Sequence, residues 1–142
     1  MRGRYGVIFA VLGFIVFFAI EALAADWVLY GTSTDGSSHY YDPQSIKWVS
    51  QDIVRVWKKM SFSKKGVQDM PKKNGPEHKE WNYTIGLWEY SCSEKKFRLL
   101  SATNYNQGGG VISSFTYDSS SWDFIVPESI DETLFNIVCG SR

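Results

Sequence analysis

The stretch WNYTIGLWEYSC, residues 81–92, has the clearest strand pattern in the chain. Successive side chains of a β-strand point to opposite faces of a sheet, so alternation of side-chain type predicts a strand. Two alternating sets stand out here: Tyr83, Ile85 and Leu87 on one side, and Trp88, Tyr90 and Cys92 on the other. Because the segment ends in a cysteine, the partner of Cys92 will be tied to the middle of the sheet.

That partner is predicted from the cysteine count. Cys92 and Cys139 are the only cysteines, so only one pairing exists. Two cysteines in an exported chain indicate a disulfide, which here closes a loop of about 48 residues and stabilises by roughly 4 kcal/mol. A redox pair and a metal pair are the alternatives, but redox motifs have a close spacing such as C-x-x-C.

Export itself is predicted from residues 1–24. A positively charged MRGR start precedes an apolar run, and Ala22-Leu23-Ala24 forms a small-x-small cleavage site. This order is typical of a secretory signal peptide. The alternative is an uncleaved membrane anchor, yet the apolar core has about 14–16 residues where a spanning helix needs about 20. We therefore expect one mature domain, residues 25–142, with no stable membrane span, in the periplasm, on the outer-membrane surface or secreted.

Further strands are predicted on both sides of a turn at Asp35-Gly36 and over residues 52–62. In residues 52–62 the apolar positions recur with period two, interrupted by Lys58, while Arg55 and Lys59 fall on the opposite face. Residues 96–105 alternate less cleanly, and residues 111–117 complete another hairpin arm. About six strands result, with connections that suit antiparallel pairing.

The end of the chain changes period. Ser129-Ile130-Asp131-Glu132 fits a helix capping box. An apolar stripe follows at helical spacing and ends at Gly140: Ile130, Leu134, Ile137 and Val138. The prediction is an α+β fold, in which an antiparallel sheet of about six strands carries a C-terminal helix tethered by the disulfide.

Composition excludes several classes of protein. The 15 Lys and Arg residues balance 15 Asp and Glu residues, so a general nucleic-acid binder, which needs a basic surface, is not expected. Motifs such as H-E-x-x-H and G-x-S-x-G are missing. The two histidines, His39 and His78, are isolated, whereas metal sites need clustered ligands. We therefore predict no catalytic residues, no metal and no cofactor.

Two features suggest partner binding. Residues 63–79 form a lysine-rich stretch without apolar period, predicted as a long exposed loop. It and the preceding strand supply candidate contacts for an acidic partner: Lys58, Lys59, Lys64, Lys65, Lys72, Lys73 and Lys79. The alternative is an ordinary solvated loop.

The second feature is the number of aromatic strand residues. They cannot all fit in one small core: Tyr30, Tyr40, Trp57, Trp88 and Tyr90. Some, with Trp57 and Trp88 as candidates, are expected to line a groove or a homodimer interface, since Tyr and Trp are favoured there. The alternative is that most of them belong to the core.

An ordered set of short segments resembles the surface-adhesin protein E family of small exported bacterial proteins. The segments are DWVLY at 26–30, YYDPQSI at 40–46, VRVWKK at 54–59, EYSC at 89–92 and WDFIVPES at 122–129, followed by Cys139. The resemblance implies a six-stranded antiparallel sheet with a disulfide-fastened C-terminal helix. It also implies adhesion, meaning binding of host matrix and plasma proteins by a displayed domain.

These observations together favour a non-catalytic exported binding module that contacts a protein or glycan partner. A periplasmic enzyme inhibitor or an accessory envelope protein is the alternative. A small hydrolase is disfavoured because no titratable groups converge in the sequence.

Overall fold

The structure is a computed structural model that describes residues 25–69 and 80–141. The predicted signal peptide, together with Lys72, Lys73, His78 and Lys79, lies outside these ranges. The strands are β1 Val28–Thr32, β2 Ser38–Tyr41, β3 Lys47–Trp48, β4 Ile53–Ser61, β5 Trp81–Ser91, β6 Lys96–Asn106, β7 Val111–Thr116 and β8 Asp123–Phe124. The helices are α1 Lys64–Asp69 and α2 Ile130–Cys139, and a 3-10 turn spans Pro43–Ser45.

All strand pairs are antiparallel. The strands run in the order β1-β2-β4-β5-β6-β7, with the two-residue strands β3 and β8 beside β4 and β6. The predicted α+β class, with about six main strands and a C-terminal helix, is confirmed. The predicted hairpin at Asp35-Gly36 joins β1 to β2, and Gly36 adopts φ 85°, a left-handed conformation that favours glycine.

The prediction of an unbroken loop over residues 63–79 is wrong at its start, where α1 forms. The Gly66 amide donates to the Ser63 hydroxyl at 2.9 Å, which caps the first turn. Gly66 also packs so closely on the turn between β1 and β2 that an added Cβ would clash with Ser37 Oγ and Asp35 Oδ2. Capping and close packing hold this short helix, and no apolar stripe is involved. Its sequence therefore shows no apolar period that would predict a helix.

Helix α2 packs on one face of the sheet. Val54, Val56 and Tyr90 are buried against its apolar stripe, in which Leu134, Phe135 and Val138 are buried. We call this side of the sheet the helix face. The period-two prediction for β4 is confirmed, because its even-numbered residues lie on the helix face.

Helix α2 begins and ends where the capping pattern predicted. The Glu132 amide donates to the Ser129 hydroxyl at 3.1 Å, and Gly140 is the C-cap. The Glu132 carboxylate accepts from the Glu128 amide at 2.7 Å, one residue before the predicted partner. The predicted Cys92–Cys139 disulfide is present and joins the last residue of the helix to the end of β5, with a Cα–Cα distance of 5.7 Å.

One irregularity in the sheet explains the poor alternation of β6. Trp88 lies opposite Leu99 while Leu87 lies opposite Ser101, which leaves Leu100 as an extra residue. A bulge of this kind changes which alternate residues share a face. Before the bulge, the odd-numbered residues Phe97 and Leu99 lie on the helix face. After the bulge, the even-numbered residues Ala102 and Asn104 lie there.

Candidate functional site

The strand register separates most of the strand cations from the helix. Directly opposite residues of antiparallel strands share a face, so the pairing places one group of cations on the side away from α2. This side, which we call the open face, carries Lys47, Arg55, Lys59, Lys96 and Arg98. Lys58 is the strand lysine that faces the other way.

One acidic strand residue, Glu89, shares the open face with these cations, and its exposed fraction is 2%. It lies between two arginines: Arg55 Nη2 donates to Oε1 at 2.5 Å, and Arg98 Nη2 donates to Oε2 at 2.7 Å. Burial raises the pKa of Glu89, but the hydrogen bonds from Arg55 and Arg98 outweigh burial and hold the pKa below its ordinary value. The carboxylate neutralises one charge, so the strand residues of the open face remain net positive.

Aromatic side chains lie among these cations. Trp57 has an exposed fraction of 38%. Tyr83 and Tyr105 stack with ring centroids 4.7 Å apart. Lys59 Nζ lies 4.7 Å from the Tyr83 centroid and 5.8 Å from that of Trp27. These cation–π contacts hold the ammonium over the face of the sheet and leave Trp57 beside it.

The structure divides the predicted partner-binding residues into separate groups. Lys59 and Trp57 lie on the open face, whereas Lys58 and Trp88 lie on the helix face. Lys64 and Lys65 are exposed on α1, and Lys65 pairs with Asp69 at 2.6 Å. Trp88 and Tyr30 pack against the core, as the alternative interpretation of the aromatics proposed, and Tyr90 is fully buried.

Lys58 has an internal role. Its side chain is 11% exposed, and Nζ donates to Asp131 Oδ1 in the first turn of α2 at 2.6 Å. The ammonium also lies 4.3 Å from the Trp88 ring centroid. Burial lowers the pKa of Lys58, and Asp131 opposes that shift. Such burial argues against direct contact between Lys58 and a macromolecular partner.

The cations other than Lys59 were missed as a group by sequence reasoning. Arg55 was placed on the polar side of its strand, but Lys47, Lys96 and Arg98 belong to other strands. A period-two pattern assigns faces within one strand only, and the register between strands decides whether those faces coincide.

Within residues 25–69 and 80–141, no group of three or more His, Cys, Asp or Glu side chains is placed to hold a metal ion. The same ranges contain no helix that is long and apolar enough to cross a membrane.

Fold and site together define a small α+β domain whose single terminal helix is fastened to an antiparallel sheet by a disulfide. The chain belongs to the surface-adhesin protein E family, whose model matches residues 27–140. This is a family of adhesins and not of enzymes, so the chain is a surface-adhesin-type protein, associated with export or the cell surface. No curated protein matches the chain significantly.

Solved structures of protein E from Haemophilus influenzae share this fold. The selenomethionine form has a TM-score of 0.51 and 16% identity, covering 80% of this chain and 87% of that one. A second structure of the protein has a TM-score of 0.51 and 15% identity, covering 80% of this chain and 83% of that one. At this identity the similarity concerns the fold.

Proposed function

We propose that this chain is a non-catalytic, exported binding module that contacts an anionic surface of a protein or glycan partner through its open face. The observation that carries the proposal is the one-sided placement of Lys47, Arg55, Lys59, Lys96 and Arg98. The neutral total charge of the chain hides this asymmetry, because Asp131 and Glu132 lie in α2 and Asp123 pairs opposite Phe97 of the helix face.

The chemistry of the open face supports a binding role. Clustered charge of one sign steers an oppositely charged partner and raises the rate of association. Half-exposed Trp and Tyr side chains supply contact area at small entropic cost, and arginine and aromatic residues are enriched at interfaces. Trp57 beside Lys59 combines both properties in one place.

We further propose that residues 1–24 are removed during export and that the protein acts in the periplasm, on the outer-membrane surface or after secretion. The disulfide supports an oxidising compartment. A homodimer stays a prediction, and repulsion between two cationic surfaces opposes pairing through the open face. That Lys64 and Lys65 of α1 also contact an anionic partner stays a prediction.

The direct test is binding to defined polymers. The oxidised protein, purified after expression of the full chain, is titrated against heparin, against polyglutamate and against neutral dextran. The expected result is binding to at least one of the two polyanions that weakens as salt is added, and no binding to dextran. Failure to bind either polyanion at low salt would contradict the proposal.

A further inference from the structure

The helix face carries a cavity of about 610 Å³ beyond the N-terminal end of α2. Its floor includes Gly86 and Ala102, which lie directly opposite each other on β5 and β6. Asp131 of α2 and Gly66 of α1 are among its walls. Pockets of roughly 300–1,000 Å³ are typical of small-molecule sites.

The hollow results from a row of small side chains in the middle of the sheet. The row consists of Gly86 and Ala102. The larger side chains of Leu99 and Asn104 flank it, so the cavity is deepest over the row. Gly86 cannot carry a larger side chain, because a Cβ there would lie 2.9 Å from Trp88 Nε1. Ala102, directly opposite, is the second small residue of the row.

Two hydrogen-bond donors lie at this floor. Lys58 Nζ lies 4.3 Å from the Trp88 ring centroid, and an ammonium has three N–H groups, of which one is given to Asp131. Trp88 Nε1 lies 2.9 Å from the position that a Cβ of Gly86 would occupy, so the indole N–H is at the floor. Thr84 Oγ1, by contrast, donates to Asn104 Oδ1 at 2.5 Å, and Asn104 Nδ2 donates to Ser113 Oγ at 2.9 Å. These donors can be given to an acceptor atom on a ligand.

The charges of the cavity exclude an anion as the preferred ligand. Asp131 already neutralises Lys58 at 2.6 Å, and Lys65 neutralises Asp69, which also lines the cavity, at the same distance. The ammonium of Lys59 lies over Tyr83 on the open face, so the charge left at the cavity is the carboxylate of Asp35, which opposes an anion. The remaining walls are mostly apolar and include Met60, Phe62 and Leu99.

We infer that this cavity binds a small neutral organic molecule with an apolar body and a carbonyl-type acceptor, which receives hydrogen bonds from Lys58 and Trp88. The ligand would sit on the helix face, opposite the surface proposed for the macromolecular partner. The inference therefore does not depend on the proposed function.

The test uses prodan, a neutral naphthyl ketone whose fluorescence reports an apolar environment. We expect saturable binding with a blue shift of its emission, and weaker binding of the anionic naphthalene sulfonate 8-anilinonaphthalene-1-sulfonate. Ala102→Leu fills the floor and should weaken prodan binding at least about tenfold, equivalent to about 1.4 kcal/mol. Thr103→Leu adds the same side chain on the open face and serves as the matched control.

Trp88→Phe removes the indole N–H while keeping an aromatic ring, and it should weaken prodan binding several-fold. This variant decides the question if Ala102→Leu fails to fold, as judged by circular dichroism. Absence of prodan binding to the unmodified protein, equal binding by Ala102→Leu and Thr103→Leu, or unchanged binding by Trp88→Phe would each overturn the inference. Tighter binding of the anionic probe would overturn the neutral ligand class.

Discussion

Lys58 Nζ lies 2.6 Å from Asp131 Oδ1, and this contact fastens the first turn of α2 to the centre of β4. The Cys92–Cys139 disulfide fastens the last residue of the same helix to the end of β5. A helix of ten residues is marginal alone, and here it is held at both ends with its apolar stripe between them.

The two partners of this ion pair should differ in their effect on stability. Asp131→Asn leaves a buried ammonium without its counter-ion and should lower the free energy of unfolding by about 3 kcal/mol. Lys58→Met leaves a carboxylate that is 39% exposed at a helix N-terminus, so the loss should be about 1 kcal/mol. Urea denaturation measures both, and a larger loss in Lys58→Met would contradict the assigned burial.

Loss of the disulfide should destabilise the domain without changing the sheet. Replacing both cysteines by serine should reduce the free energy of unfolding by about 4 kcal/mol, because the unfolded chain regains the freedom of a long loop. The comparison is guanidinium denaturation of the variant and of the unmodified protein with and without reductant. If reductant destabilises the double variant as strongly as it does the unmodified protein, the effect does not come from this bridge.

Stability should fall on mild acidification because of His39. Burial, and next the nearby Lys58, lower the pKa of His39 in the folded protein. The unfolded chain then binds more protons, so the stabilisation is present above the ordinary histidine pKa of about 6.5 and is lost as pH falls through the lowered value. His39→Gln should flatten this dependence of the melting temperature on pH, whereas His78→Gln, at the only other histidine, should not.

Glu89 should have opposite effects on stability and on binding. Glu89→Gln removes the carboxylate that accepts from Arg55 and Arg98 and should cost about 1.5–3 kcal/mol of stability. It also adds one net positive charge to the open face, so affinity for a polyanion at low salt should rise. Thermal unfolding measures the change in stability, and heparin titration at a temperature where the variant is folded measures the change in affinity. Reduced heparin affinity would contradict this prediction and would show that Glu89 itself contributes to the binding surface.

Local patterns were enough to predict much of the fold. The capping box placed α2, and the cysteine count gave the disulfide. The apolar alternation in β4 gave its buried face and marked Lys58 as an interruption of that face. The partner Asp131 lies 73 residues further along, so no local pattern could reveal that the interruption is an ion pair.

Other features depend on how distant segments pair. The open face requires Lys47, Arg55 and Arg98 to come into register across three strands, and the bulge at Leu100 shifts the side-chain faces within one of them. Helix α1 depends on hydrogen bonds from its cap residue Ser63 to Ser37 and Asp35, which lie 26 and 28 positions earlier. No periodic pattern in the sequence predicts either feature.

The central claim is that the open face contacts the partner, and charge reversal on that face tests it most directly. Heparin and polyglutamate affinities are compared for Lys47→Glu/Lys59→Glu and for Lys64→Glu/Lys65→Glu, which makes the same change of charge on α1. The account predicts that the open-face variant loses salt-sensitive binding by a larger factor than the α1 variant, with its melting temperature nearly unchanged. Full binding by the open-face variant, with loss confined to the α1 variant, would contradict it.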